Sequence, residues 1–160
     1  MLSVAGFLIS AGIHVAVLNS INVQNSPVTP FALHAFAILC FAASMGNLIK
    51  DFRAIPPTDK PASVFALVVA RTPRALQVCF AGLLMYGLAN FLVAMPSGTP
   101  TVHDGAYSLQ NHGTTIREIT EEEYLAAERG IIRGFSGYWM LFLFMALMLS
   151  LPASRKPSIG

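Results

Sequence analysis

The charged residues of this chain fall in clusters, and the intervals between the clusters define its elements. Residues 2–19, 31–49, 75–95 and about 135–151 contain no Asp, Glu, Lys or Arg. Each interval approaches the roughly 20 apolar residues needed to cross a hydrocarbon core of about 30 Å. Within residues 31–49 and 82–93 the apolar character is continuous, without the period-two alternation of a membrane-spanning strand. A backbone in lipid has to satisfy its own hydrogen bonds, so the pattern predicts four transmembrane α-helices. The fold class expected is an all-α integral membrane protein, a four-helix transmembrane bundle forming a single membrane domain over residues 1–160. The first interval is read as a retained helix rather than a cleaved signal. No Lys or Arg precedes it, and no small-x-small site follows before Asn19 and Ser20.

The connecting segments carry their own signals. In residues 50–74, Pro56, Pro57 and Pro61 stop a helix from continuing beyond the second span, and residues 63–70 are apolar enough to lie at the membrane interface. Pro73 falls where the third helix begins, a place where its missing N–H costs nothing. In residues 96–134, the Pro, Gly, Ser and Thr of residues 96–105 read as loop. Residues 106–110 and 114–119 alternate, predicting a small β-hairpin with its turn at His112-Gly113. Thr120 and Glu123 form a capping box, so a helix should begin at Glu121. No proline follows until Pro152, so this juxtamembrane helix runs on into the fourth span. Gly130 and Gly134 have the spacing of a small-residue packing face, and equally of a bend at the bilayer entrance. Tyr138 and Trp139 fit an interfacial aromatic belt. Tyr107, Leu109, His112, Tyr124, Gly130 and Gly134 are the candidate interaction residues.

Composition agrees with the pattern. Hydrophobic residues make up 54% of the 160 positions and charged residues 11%, against roughly 25% charged in an ordinary soluble chain. The lipid bilayer is therefore the first partner. A net charge of +2 excludes a nucleic-acid binder. Two cysteines exclude a disulfide scaffold, and Cys40 and Cys79 differ in depth by about 8 Å, too far apart to pair. Basic residues then orient the bundle. Lys50, Arg53, Lys60, Arg71 and Arg74 precede the third span and Arg155 and Lys156 follow the fourth, seven in all, whereas residues 96–134 hold only Arg117, Arg129 and Arg133. The seven mark the cytoplasm. Both termini are expected there, in a plasma membrane such as a bacterial inner membrane, with residues 50–74 cytoplasmic and the hairpin extracytoplasmic.

Polar residues inside the spans are the candidate chemistry, because placing them in lipid is costly. At 1.5 Å per residue, His14 lies about 8–9 Å from the outer end of its span, His34 about 5 Å and Asn90 about 8 Å, with Tyr138 near the same level. Two imidazoles on neighbouring helices could ligate a haem iron or a Zn or Cu ion, with Asn90 and Tyr138 supporting them, or flank a quinone. His14 and His34 are the candidate metal ligands, and His14, His34, Asn90 and Tyr138 the candidate cofactor site. The alternative is that the same residues hydrogen-bond across helices. No Gly-rich phosphate loop, His-Glu-x-x-His or nucleophile elbow is present. The function expected is that of a non-enzymatic accessory, assembly or interaction subunit of a larger membrane complex, partnered by other membrane subunits or by further copies of itself. The second expectation is a haem-, metal- or quinone-binding redox protein using His14 and His34.

Overall fold

The computed structural model describes residues 2–19 and 28–151. Most of residues 20–30 and the tail with Arg155 and Lys156, two of the seven basic residues counted above, lie outside the described residues. The elements run α1 (Leu2–Leu18), α2 (Val28–Ala54), a 3-10 turn (Pro57–Asp59), α3 (Val64–Arg71), α4 (Arg74–Ala94), β1 (Thr99–His103), β2 (Ala106–Asn111), β3 (Thr114–Glu118) and α5 (Glu121–Leu149). The chain is thus mostly helical, with a small three-stranded sheet. Three stretches, Ala32–Ala54, Arg74–Ala94 and Glu121–Leu149, are long and apolar enough to cross a membrane. α1 is equally apolar but has only 17 residues, about 25 Å of helix.

α5 is the axis of the molecule, and α1, α2 and α4 each pack against it. Some 56% of its apolar stretch is buried inside the chain, against 17% for α2 and 11% for α4. A helix that is apolar all round and enclosed on several sides is a core helix. Trp139 and Leu143 on α5 meet Ala37 on α2, flanked by Phe7 and Ile13 of α1. Close approach depends on small residues. At Gly6 of α1, a Cβ would meet Phe36 Cε1 at 2.6 Å and Leu143 at 3.1 Å.

Local chemistry sets the ends of the elements. α2 stops before Pro56 and Pro57. The apolar segment expected at the interface is helix α3, whose Ser63 Oγ accepts from the Ala66 N–H at 3.1 Å. Arg71 Nη1 donates to Asp51 Oδ2 at 3.0 Å and ties α3 to the end of α2. α4 begins directly after Pro73, as the helix-start preference of proline predicts.

The sheet departs from expectation at one point. Residues 99–103, read as loop, form strand β1, antiparallel to β2 with Thr99 opposite Gln110 and Val102 opposite Tyr107. The reason lies at Asp104-Gly105, whose φ values of 50° and 80° make a two-residue hairpin turn. Pro100 is tolerated because β1 is an edge strand. The second turn is at His112-Gly113, with φ of 48° and 82°, where the alternation placed it. β2 and β3 shift register between Leu109 and Gln110, which leaves Ile116 without a direct partner.

The helix after the sheet starts as expected. Thr120 Oγ1 accepts from the Glu123 N–H at 3.2 Å, and Glu123 Oε2 accepts from the Thr120 N–H at 2.9 Å. α5 then continues without a break to Leu149.

Candidate functional site

One connected set of polar side chains lies at the sheet end of the bundle. His14 lies one turn from the end of α1 and is buried, and Asn90 lies one turn from the end of α4 and is buried. Both turn toward the same turn of α5. His14 Nδ1 lies 2.7 Å from Ser136 Oγ, and its Nε2 lies 2.6 Å from the Tyr86 hydroxyl on α4. Ser136 Oγ also donates to the Arg133 carbonyl at 3.0 Å. For a neutral imidazole, one arrangement keeps all three bonds. Tyr86 O–H donates to Nε2, Nδ1–H donates to Ser136 Oγ, and Ser136 O–H donates to the carbonyl. Asn90 closes the network from the other side. Its Nδ2 donates to the same Arg133 carbonyl at 2.9 Å, and its Oδ1 accepts from Arg133 Nε at 2.8 Å.

The arrangement pins α1 and α4 to α5 through polar contacts. Each donor named has an acceptor, which is the condition under which buried polar groups stabilise rather than penalise a bundle. Ser10, one turn earlier on α1 and fully buried, is the exception, because its Oγ has no partner.

His34 belongs to a different contact. Its Nδ1 accepts from Trp139 Nε1 at 3.2 Å, and its ring stands edge-on to Phe135 at 5.9 Å. His14 and His34 therefore engage different residues of α5, Ser136 and Trp139. Both ring nitrogens of His14 are occupied, so a metal there would displace Ser136 or Tyr86. Among the described residues, no three His, Cys, Asp or Glu side chains are grouped to hold a metal ion. Tyr138 is half-buried with its ring 5.0 Å from that of Phe91 and joins neither histidine by a hydrogen bond. Trp139, read as a belt residue, is instead 2% exposed in the core. Cys40 is half-buried, Cys79 is exposed, and both are free thiols.

The residues marked for interaction are largely engaged within the chain. The Tyr107 and Tyr124 rings lie 5.1 Å apart and join β2 to the first turns of α5, and Leu109 is buried. The Tyr124 hydroxyl donates to Glu128 Oε1 at 2.8 Å. Arg117 Nη1 donates to Glu123 Oε1 at 3.0 Å and links β3 to the same helix. The Thr120 N–H, and then Arg117, hold the Glu123 carboxyl below the usual carboxylate range. His112 sits at the hairpin turn, exposed. Gly130 and Gly134 receive α4. A Cβ on Gly130 would collide with the Ala94 carbonyl, and one on Gly134 would meet Met95 Sδ at 3.1 Å and Phe91 at 3.3 Å. The small-residue face is therefore used between helices of one chain.

Tyr86, Arg133 and Ser136 were missed as members of the polar site. Tyr86 is four residues before Asn90, on the helix face of a residue already noted, whereas among the members of the site Ser136 and Arg133 share a face of α5 only with each other. Family models, curated proteins and solved structures yield no match to this chain.

Proposed function

We propose that this chain is a small integral membrane protein, a four-helix transmembrane bundle that holds a rigid three-stranded platform at one face of the membrane. It serves as a non-enzymatic accessory or assembly subunit of a larger membrane complex. The observation that carries this reading is the clamp between sheet and α5. The capping box, the Arg117–Glu123 pair and the Tyr107–Tyr124 contact join the platform to the same continuous helix that forms the bundle core. Such a platform has a set pose relative to the bilayer. The platform leaves exposed the whole of β3, with Ile116 50% exposed, and Val102 on β1, 46% exposed.

Counting α1 as a fourth span is supported by its outer face. Leu8 is 64% and Ile9 54% exposed with no charged residue on the helix, a surface suited to lipid rather than water. Leu39 on α2 and Leu92 on α4, 66% and 80% exposed, fit the same environment. The five basic residues of residues 50–74 support placing that loop in the cytoplasm and the platform outside.

Isolation from the native membrane in mild detergent, with absorbance spectra and metal analysis on one sample, tests the proposal. The expected preparation is free of haem and of stoichiometric metal and retains a membrane partner. Replacing Ile116 and Val102 together with serine should release that partner while the bundle stays folded. A Soret band or stoichiometric metal, lost on His14→Ala or His34→Ala, would overturn the reading in favour of a redox centre.

A further inference from the structure

At the end of the bundle away from the sheet, α2, α3, α4 and α5 enclose a half-open cavity of about 530 Å³. That volume falls among ligand sites, which span roughly 300–1,000 Å³. Thirteen residues line it and twelve are apolar, among them Phe41 and Leu48 from α2, Val64 and Val68 from α3, and Met145 and Leu149 from α5. The exception is Gln77, whose amide N–H groups are given to the carbonyls of Val69 at 3.0 Å and Thr72 at 2.8 Å. A wall of this composition suits hydrocarbon.

A second observation bears on what the hydrocarbon is attached to. Arg71 and Thr72 follow the lining residues Val68 and Val69 after Ala70, at the end of the same helix. The Arg71 side chain is 10% exposed and Thr72 5% exposed, yet Arg71 Nε and Thr72 Oγ1 have no hydrogen-bond partner. Both are donors, and a buried donor without an acceptor is unfavourable. Lys50 adjoins the lining residue Ile49, and Arg74 precedes the lining residue Gln77 by one turn. Residues 50–74 hold five basic and two acidic residues, a net of +3. The surroundings of the cavity therefore combine unpaired donors with excess positive charge.

We propose that this cavity binds an anionic phospholipid, its acyl chain filling the apolar space and its phosphate oxygens accepting hydrogen bonds from Arg71 and Thr72. The proposal rests on the membrane reading above. Hydrocarbon and anion are matched separately, one by the wall and the other by the donors, so the two contributions can be removed separately.

The test uses the full-length protein in mild detergent, titrated with phosphatidylglycerol or phosphatidylcholine of identical chains, with bound lipid counted by native mass spectrometry. Wild type should prefer phosphatidylglycerol by roughly five-fold or more, the scale of one basic residue acting on an anionic lipid. Val68→Trp, which fills the space, should lose retention of both lipids. If Val68→Trp does not fold, Val64→Trp, on the same wall, serves the same purpose. Thr72→Val keeps the Arg71–Asp51 pair and should reduce the phosphatidylglycerol preference without lowering phosphatidylcholine retention or the melting temperature. Arg71→Gln should abolish the preference. Equal lipid retention by wild type and the filled variants would overturn the site. Equal binding of the two lipids by wild type, or displacement of phosphatidylglycerol by millimolar inorganic phosphate alone, would overturn the lipid assignment. A carbonate wash of membranes distinguishes the two levels. Chain that remains in the membrane without the lipid preference overturns this proposal alone, and chain released into the wash overturns the membrane reading with it.

Discussion

Replacing Asn90 with leucine should destabilise the bundle more than replacing His14 with leucine, although both are buried and each makes two side-chain hydrogen bonds. The difference is charge. Asn90 Oδ1 accepts from the Arg133 guanidinium at 2.8 Å while its amide donates to the Arg133 carbonyl at 2.9 Å. A hydrogen bond to a charged group contributes about 1.5–3 kcal/mol, and a neutral bond within a membrane bundle about 0.6 kcal/mol. Arg133 is half-buried and its long stem can carry the charge toward water once Asn90 is gone. That relaxation places the expected cost of Asn90→Leu at the lower end, about 2 kcal/mol. His14→Leu removes two neutral contacts and should cost about 1.2 kcal/mol. The assay is equilibrium unfolding by SDS in mixed micelles, followed by the fluorescence of Trp139, the one tryptophan of the chain and buried beside α2. A double-mutant cycle with Asn90→Leu and Arg133→Met should give a coupling of about 1.5 kcal/mol or more. Additive losses, or an Asn90→Leu cost no larger than that of His14→Leu, would refute the argument.

Gly130→Leu should cost about 1–3 kcal/mol by overpacking and should abolish a disulfide cross-link engineered between α4 and α5, because a side chain there collides with the Ala94 carbonyl. Tyr124 lies ahead of the apolar run of α5. Its phenol is pushed up to about 12 by burial and by the hydrogen bond to Glu128. Because the folded value is raised, the stability it contributes is complete below the ordinary tyrosine value of 10.0 and is lost as pH rises through about 12. Absorbance titration at the tyrosinate band should resolve a component ionising near 12 that is lost in Tyr124→Phe, and Glu128→Gln should bring it down.

Much of the architecture was legible because single residues decided it. Thr120 and Glu123 announce the start of α5, and the absence of proline before Pro152 carries it into the bundle. His112-Gly113 marks its turn in the same way. β1 was not legible as a strand, because Pro100 and the Thr, Ser and Gly around it resemble loop, although Asp104-Gly105 is itself a hairpin signal. The polar layer was visible in depth through His14 and Asn90. Its partners were not, since counting residues gives height along a helix and not which neighbour the side chain faces. Trp139 shows the corresponding limit for apolar positions. Lipid-facing and interior positions are both apolar, so a central helix cannot be told from a peripheral one by hydropathy, and a core tryptophan resembles a belt residue.

Site-specific photocross-linking in intact cells tests the central claim most directly. A photoreactive amino acid at Ile116, on the exposed β3 of the platform, should give one discrete adduct with the same membrane protein that co-purifies with the chain in mild detergent. The same group at Thr58, in the loop at the opposite end, should not give that adduct. An adduct of identical mass from both positions, or none from Ile116 while the isolated chain carries haem or a stoichiometric metal, would contradict a platform that docks a partner.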